Sequence, residues 1–315
     1  MFDKMIFNVI VDMDTEAMTI ADRNKLETWT NGGKTEYKSP MIANVDGINI
    51  TIKEKKLQIK CSLHKLYFKL MYGILDNSQL FTLSQADKAL NMLFDSIGID
   101  KARAKITYFE IGLNIPTEHE PLEYIELVKS ITTGKMQTEK EMFQDANYRK
   151  FRQKTTEKHK TIKKVFKIYD KEFEAAEKKR TQPTGNHILR IETMYRRQNI
   201  ALPDFFSKAN IQRLTSAFYK DWISIEFERY IEADNGVRKS EKENAKNILT
   251  LGREAYLSKV KAEFDSGLLT ERQYRTVREF IRDWDSNKHK YRMLPTKQET
   301  EYRHKLKHWF SLSQV

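Results

Sequence analysis

The sequence predicts an α+β protein: strands with a few helices up to about residue 205, then an all-helical stretch. Three observations carry this. Short apolar runs that alternate with polar residues recur between turn signals in the N-terminal part. From Leu202 onward the apolar residues fall at helical spacing instead. The chain has 315 residues, 39% hydrophobic and 11% aromatic, enough for a buried core, which excludes global disorder. At roughly 150 residues per domain the length suggests two, residues 1–205 and 206–315, dividing near Pro203.

In chain order, residues 5–12 (MIFNVIVD) are apolar enough for a buried strand. Residues 45–52 and 57–63 form a hairpin joined by the charged KEKK turn. Ser84 caps a helix that runs to Ile97, with Asp87 as capping-box partner, Ala86, Leu90, Leu93, Phe94 and Ile97 on one face, and Gly98 as its stop. Residues 106–115 form a strand and residues 122–131 a helix. Two more strands, 165–170 and 188–195, are separated by a charged stretch that ends in the loop signal QPTGN. Ile211, Leu214, Phe218, Trp222 and Ile225 line a helix that DNG at 234–236 breaks. Thr270 opens another helix with Gln273 as capping partner and Tyr274, Val277, Phe280, Ile281 and Trp284 on its buried side. Trp222, Trp284 and Trp309 read as packing residues, and the helices around 269–284 have helix-turn-helix spacing, which any helical bundle shares.

Lys and Arg number 56 against 44 Asp and Glu, a net +12 with a pI near 9.4, so the expected partner is a polyanion. No apolar run approaches the roughly 18 residues of a membrane span, and no secretory pattern opens the chain, so the expectation is no membrane partner. The single cysteine, Cys61, excludes a disulfide framework or a cysteine-rich zinc site and fits a reducing cytoplasm. The charge is concentrated. Residues 135–180 hold 15 Lys or Arg against 8 Asp or Glu, so +7 of the total lies in this segment. Tyr148, Phe151 and Phe166 are interleaved there with Arg149, Lys150, Arg152, Lys154, Lys163 and Lys164, a mixture that stacks bases while holding phosphates. A solvated face of a basic protein has the same composition.

Strand side chains alternate faces, so each strand reads as two columns. In 106–115 the apolar column leaves Tyr108, Glu110, Gly112 and Asn114 opposite. In 188–196, Arg190, Glu192 and Arg196 oppose Leu189 and Ile191, with Tyr195 in the core column. In 165–171, Lys167, Tyr169 and Lys171 oppose Phe166 and Ile168, and in 57–64, Gln58, Lys60, Ser62 and His64 oppose Leu57, Ile59, Cys61 and Leu63. If the four strands share a sheet, its polar face gathers Glu110, Asn114, Glu192, His64, Tyr169, Lys167, Lys171 and Arg190. Such oxygen donors, with one imidazole, suit Mg²⁺ or Mn²⁺. A tyrosine hydroxyl beside them attacks a phosphodiester in this reading, with nearby lysines favouring phenolate below the reference pKa of about 10. The exposed face of any one-sided sheet carries polar residues as well. Tyr169 ranks first as nucleophile, with Tyr195 and Tyr108 as rivals, and Lys167 and Lys171 also read as plain phosphate clamps.

LQIKCSLHKL (57–66), ARAKITYFEIGLNIPTE (102–118), VFKIYDKEFE (165–174) and ILRIETMYRR (188–197) together resemble, in order and spacing, rolling-circle replication initiators. The likeness is to filamentous-phage replication endonucleases and trans-acting plasmid Rep proteins, and ILRIETMYRRQNIALPDFF extends it toward the helical region. The resemblance covers about half the chain, roughly residues 57–206. It implies a divergent HUH-type fold, an antiparallel sheet backed by helices, in a protein that nicks one origin strand, holds the 5′ end as a phosphotyrosine and later rejoins the ends. Under this resemblance Tyr169 matches the nucleophile, and Glu110 and Asn114 fall where two acidic residues are usual. Arg190 and Glu192 match an Arg-hydrophobic-Glu strand, and Ser62 and Lys65 match a Ser and a Lys of the phage proteins. No pair of the seven histidines has the His-hydrophobic-His pattern, as in the branch where carboxylates replace them. The implied partners are origin DNA, duplex and single-stranded, a host helicase and replication machinery, and a second copy as homodimer, in the cytoplasm of a bacterial host. The competing expectation is a non-catalytic, sequence-specific DNA-binding protein of a mobile element, a repressor or copy-number regulator. An RNA-binding sheet would need more exposed aromatics than Tyr108 and Tyr169 on the polar columns.

Overall fold

A computed structural model of the chain describes residues 1–12, 15–40, 47–138, 147–152, 163–177 and 185–314. Lys154, the start of the expected hairpin at Val45 and the loop residues 182–184 lie outside them. The chain forms two compact units, residues 1–226 with 301–315, and residues 227–300.

The strands of the first unit are β1 (Phe2–Ile10), β2 (Glu27–Asn31), β3 (Lys34–Lys38), β4 (Ile48–Lys53), β5 (Lys56–Ser62), β6 (Lys105–Pro116), β7 (Val128–Ser130), β8 (Gln137–Thr138), β9 (Tyr148–Arg152), β10 (Lys164–Asp170), β11 (Ile188–Tyr195) and β12 (Ile200–Ala201). All but β7 belong to one 11-stranded sheet in the order β2-β3-β4-β5-β1-β6-β11-β10-β9-β8, with β12 beside the start of β6. Its ladders are antiparallel. The four strands expected to share a sheet therefore do so, with β1 inserted between β5 and β6. The KEKK turn closes β4 onto β5 through Glu54 and Lys55, both at positive φ, the backbone of a two-residue hairpin turn.

Helices α1 (Glu16–Arg23), α2 (Leu63–Tyr72), α3 (Leu83–Ile97), α4 (Pro121–Leu127), α5 (Lys171–Glu177), α6 (Leu202–Phe205) and α7 (Lys208–Ile223) complete the run to residue 226. The α3 face is the expected one, and Gly98 ends the helix in the left-handed conformation. Its cap lies two residues earlier than expected: Thr82 accepts from the Gln85 amide, and Gln85 closes the capping box. Ser ranks slightly above Thr as a cap, but Gln85 has the reach of the usual capping-box partner and Asp87 does not, which favours the Thr82 register. The helix expected over 122–131 stops at Leu127, and its β-branched end continues as β7.

The apolar face of α7 explains why the division falls after Glu226 and not near Pro203. Trp222 donates its indole N–H to Thr193 Oγ1 at 2.9 Å and meets the Phe166 ring edge-on at 5.7 Å, so α7 is part of the sheet's own core. The change from strand to helix in the sequence marks a second layer, and the unit continues through it.

The second unit holds β14 (Tyr230–Ala233), preceded by β13 (Glu226–Phe227) at the division, then α8 (Lys239–Leu251), α9 (Arg253–Asp265), α10 (Glu271–Arg282), α11 (Trp284–Asn287) and β15 (Tyr291–Leu294), which pairs with β14. DNG follows β14 as the turn into α8 and does not break α7, which already ends at Ile223. The Thr270–Gln273 capping box of α10 is as expected, and Ile281 and Trp284 are buried in a cluster with Ala245, Ile248, Tyr256, Val260 and Tyr291. The last helix, α12 (Lys297–Ser313), returns from Glu301 onward to the first unit. The chain is thus α+β with a largely helical C-terminal region. No helix among the described residues is long and apolar enough to cross a membrane.

Candidate active site

The polar face of the sheet is buried where β1, β6, β11 and β10 lie side by side. Asp3, Glu110, Asn114, Arg190, Glu192 and Tyr169 are all below a tenth exposed. A one-sided sheet would leave these columns facing solvent; here the loop after α2 covers them, with the Asn77 and Ser78 carbonyls accepting from the Asn114 amide at 2.9 and 2.6 Å. A buried polar cluster is costly unless its members bond one another, and these do.

Arg190 is the hub. Its Nε donates to Glu192 Oε1 at 2.7 Å, one terminal nitrogen to Asn114 Oδ1 at 2.9 Å, and the other to Asp3. Asp3 also accepts from Ser62 and, at 3.1 Å, from Asn77. Glu192 accepts the Tyr169 hydroxyl at 2.9 Å and is reached by Lys167 at 3.4 Å, while Tyr108 donates to Glu110. The register follows from the β10–β11 ladder, where Lys167 faces Glu192 and Tyr169 faces Arg190. Gly112, opposite Glu192, makes room: a Cβ there would lie 2.6 Å from an Arg190 nitrogen.

Asp3 was not among the expected site residues. Strict alternation from Met5, Phe7 and Val9 places it in the apolar column. A bulge changes this: Phe2 pairs with Ile111 and Met5 with Phe109, so Asp3 and Lys4 together oppose Glu110. Phe2 then joins the core and Asp3 the polar face. A carboxylate in an otherwise apolar column was the signal. The result is a trio, Asp3, Glu110 and Glu192, whose nearest carboxylate oxygens all lie within 4.8 Å of one another.

The electrostatics follow from burial and neighbours. Burial pushes the Asp3 carboxyl up, but Arg190 first, with His64, the Ser62 hydrogen bond and Lys171, together outweigh it and hold Asp3 well below the carboxylate range. Glu192 is likewise lowered against its burial, by Arg190 and then Lys167. Glu110, without an arginine of its own, is pushed up to about 7 by burial and by Glu192. Burial and the Glu192 carboxylate push the Tyr169 phenol well above its usual value, the reverse of the lowering expected from neighbouring lysines. Burial lowers Lys171, which is bonded to Glu174 at 2.8 Å.

Several expected residues take other places. Asn114 is engaged through both ends of its amide and stands outside the carboxylate trio. His64 lies in the first turn of α2, past the end of β5, stacked on Phe81 at 4.5 Å with its Nε2 buried and unpartnered; burial holds it well below its usual pKa. Ser62 caps α2 by accepting from the Lys65 amide at 3.2 Å. Tyr195 stacks on Phe109 in the core, whereas Tyr108 stands at the trio. In the basic segment Phe151 and Phe166 are core residues, so they stack no bases. Lys164 is paired with Asp221, and Lys163 is exposed. On β9, Lys150 faces Lys167 and Tyr148 faces Tyr169, stacking on it at 5.6 Å, while Arg149 faces Ile168 of the apolar column. Arg152, half-buried, faces Val165. The expected DNA-binding run is therefore divided between two faces.

A cleft of about 470 Å³ adjoins the network, lined among others by Lys65, Leu75, Asn114, Lys171 and Trp309. No protein-family model matches the chain, and no curated protein matches it.

Proposed function

We propose that the chain is a divalent-metal-dependent DNA endonuclease and strand transferase that initiates rolling-circle replication through Tyr169. The observation that carries this reading is the Tyr169 hydroxyl 2.9 Å from Glu192, itself one of three converging carboxylates. The donor set suits a hard cation: three carboxylate oxygens converge, and Glu110 is pushed up to about 7, the mark of a trio short of positive charge. Asp3, Glu110 and Glu192 would hold Mg²⁺ or Mn²⁺, which supplies charge neutralisation at a phosphoryl oxygen.

The chain's own residues do the rest. The Tyr169 oxygen attacks phosphorus, its proton passes to Glu192, and the bond to the 3′ oxygen breaks; that oxygen takes a proton from water. The 5′-phosphotyrosine conserves the energy of the broken bond, so rejoining needs no ATP. Lys167, 3.4 Å from Glu192, serves as a clamp for the reacting phosphate. A supercoiled plasmid carrying the element's own origin tests the reading: with Mn²⁺ it yields a nicked circle with protein on its 5′ end, and with EDTA none.

One observation favours a second reading, a non-catalytic DNA-binding protein on the same sheet. Tyr169 is only 6% exposed and its phenol is held in the neutral form. An intact plasmid with Mn²⁺, bound but never nicked, selects this reading.

A further inference from the structure

The outward face of α2 carries a pattern that the buried site does not use. Lys65, Phe68, Lys69 and Tyr72 recur at i, i+3, i+4 and i+7, one stripe of a helix, while Leu63, His64, Leu66 and Tyr67 are buried opposite. The ten-residue helix has two lysines and no carboxylate. Tyr72 is 59% exposed and its ring lies 5.4 Å from that of Phe68. The chain leaves α2 at Gly73, and the next residues, Ile74 and Leu75, are exposed and line the cleft together with Lys65. Lys65, at the first turn of the stripe, thus stands at the cleft whose wall includes Asn114, one hydrogen bond from Arg190.

We infer that this face of α2 is a platform for single-stranded DNA, with bases stacked on Phe68 and Tyr72 and phosphates on Lys65 and Lys69, leading the strand into the cleft. Alternation of cation and aromatic ring suits a polyanion whose bases are unpaired, because only a single strand offers free base faces to the exposed Tyr72 ring and the half-buried Phe68 ring beside it. In a duplex those faces are covered by neighbouring bases. The direction of the path, toward Tyr169, rests on the nuclease reading; the platform itself does not.

The test is fluorescence anisotropy with labelled oligothymidylate of about 20 nucleotides and a hairpin duplex of similar length, without divalent metal. Tyr72→Ala should weaken single-strand binding at least about fivefold, whereas Tyr72→Phe stays within about twofold because it keeps the ring. Lys69→Ala should reduce the log–log salt slope by about 0.7. Duplex affinity should change less than about twofold in the two Tyr72 variants. Unaltered single-strand binding in Tyr72→Ala, or equal losses on both probes, overturns the platform. The assay involves no cleavage, so the two ideas fail separately. Absent nicking with this binding pattern intact removes only the nuclease, and nicking with unaltered Tyr72→Ala binding removes only the platform.

Discussion

Arg190 and Tyr169 face each other across the β10–β11 ladder and bond the same atom, Oε1 of Glu192, at 2.7 and 2.9 Å. One carboxylate oxygen thus joins the guanidinium that pairs with Asp3 and Glu192 to the hydroxyl assigned the chemistry.

Arg190→Met should destabilise the protein by about 3–5 kcal/mol, because it strands Asp3, Glu192 and Asn114 in a buried setting. Urea denaturation measures this. A loss below about 1 kcal/mol would mean that water, and not Arg190, satisfies these groups.

Gly112→Ala should cost about 1–3 kcal/mol, since the new methyl meets a guanidinium pinned by three partners and unable to swing away. If it proves neutral, Arg190 has slack that the distances do not suggest. Combining it with Arg190→Met should then cost less than the sum of the two, because they share one site.

Tyr169→Phe should abolish the covalent DNA adduct while lowering stability by only about 1 kcal/mol, the value of one hydrogen bond. DNA binding should persist. An adduct that survives would shift the nucleophile to Tyr108, the other tyrosine bonded to the trio, ahead of Tyr195, which is half-buried and stacked on Phe109 of the apolar column.

The raised Glu110 ties stability to pH. A carboxyl at about 7 in the folded state against 4.5 when free means that the folded protein binds the extra proton. Without metal, the stability of the parent relative to Glu110→Gln should therefore fall as pH rises from about 4.5 through about 7, by up to roughly 3 kcal/mol. The comparison is between the two proteins because His64, held below its usual pKa by burial, contributes the opposite slope in both. Mn²⁺ should restore stability at pH 8 to the parent but not to Glu110→Gln. A thermal-melting series on both proteins checks this, and a difference that instead rises over this window would refute the assignment.

Lys150→Ala should reduce the salt slope of duplex binding by about 0.9, because Lys150 shares the polar face with Lys167. Arg149→Ala, on the opposite face, should leave it unchanged. Equal effects would mean that DNA wraps the sheet edge and does not lie on one face.

Within each strand the sequence by itself determined which side chains share a face. Period-two alternation needs no partner strand, so Glu110 with Asn114, Arg190 with Glu192, and Lys167 with Tyr169 were legible before any fold. The α3 face and the Thr270 cap were legible for the same reason, since both depend on residues within one or two turns. Tertiary structure alone decided the rest. The β1 bulge moved Asp3 across the sheet, a change set by pairing with β6 that alternation along β1 conceals. Burial of the polar face came from a loop distant in sequence, which turned a column that a one-sided sheet would leave solvated into a bonded network and reversed the expected shift of Tyr169. The division of the chain also escaped the sequence, because α7 packs on the sheet and on the distant α12 within the first unit, and packing partners are not written in periodicity.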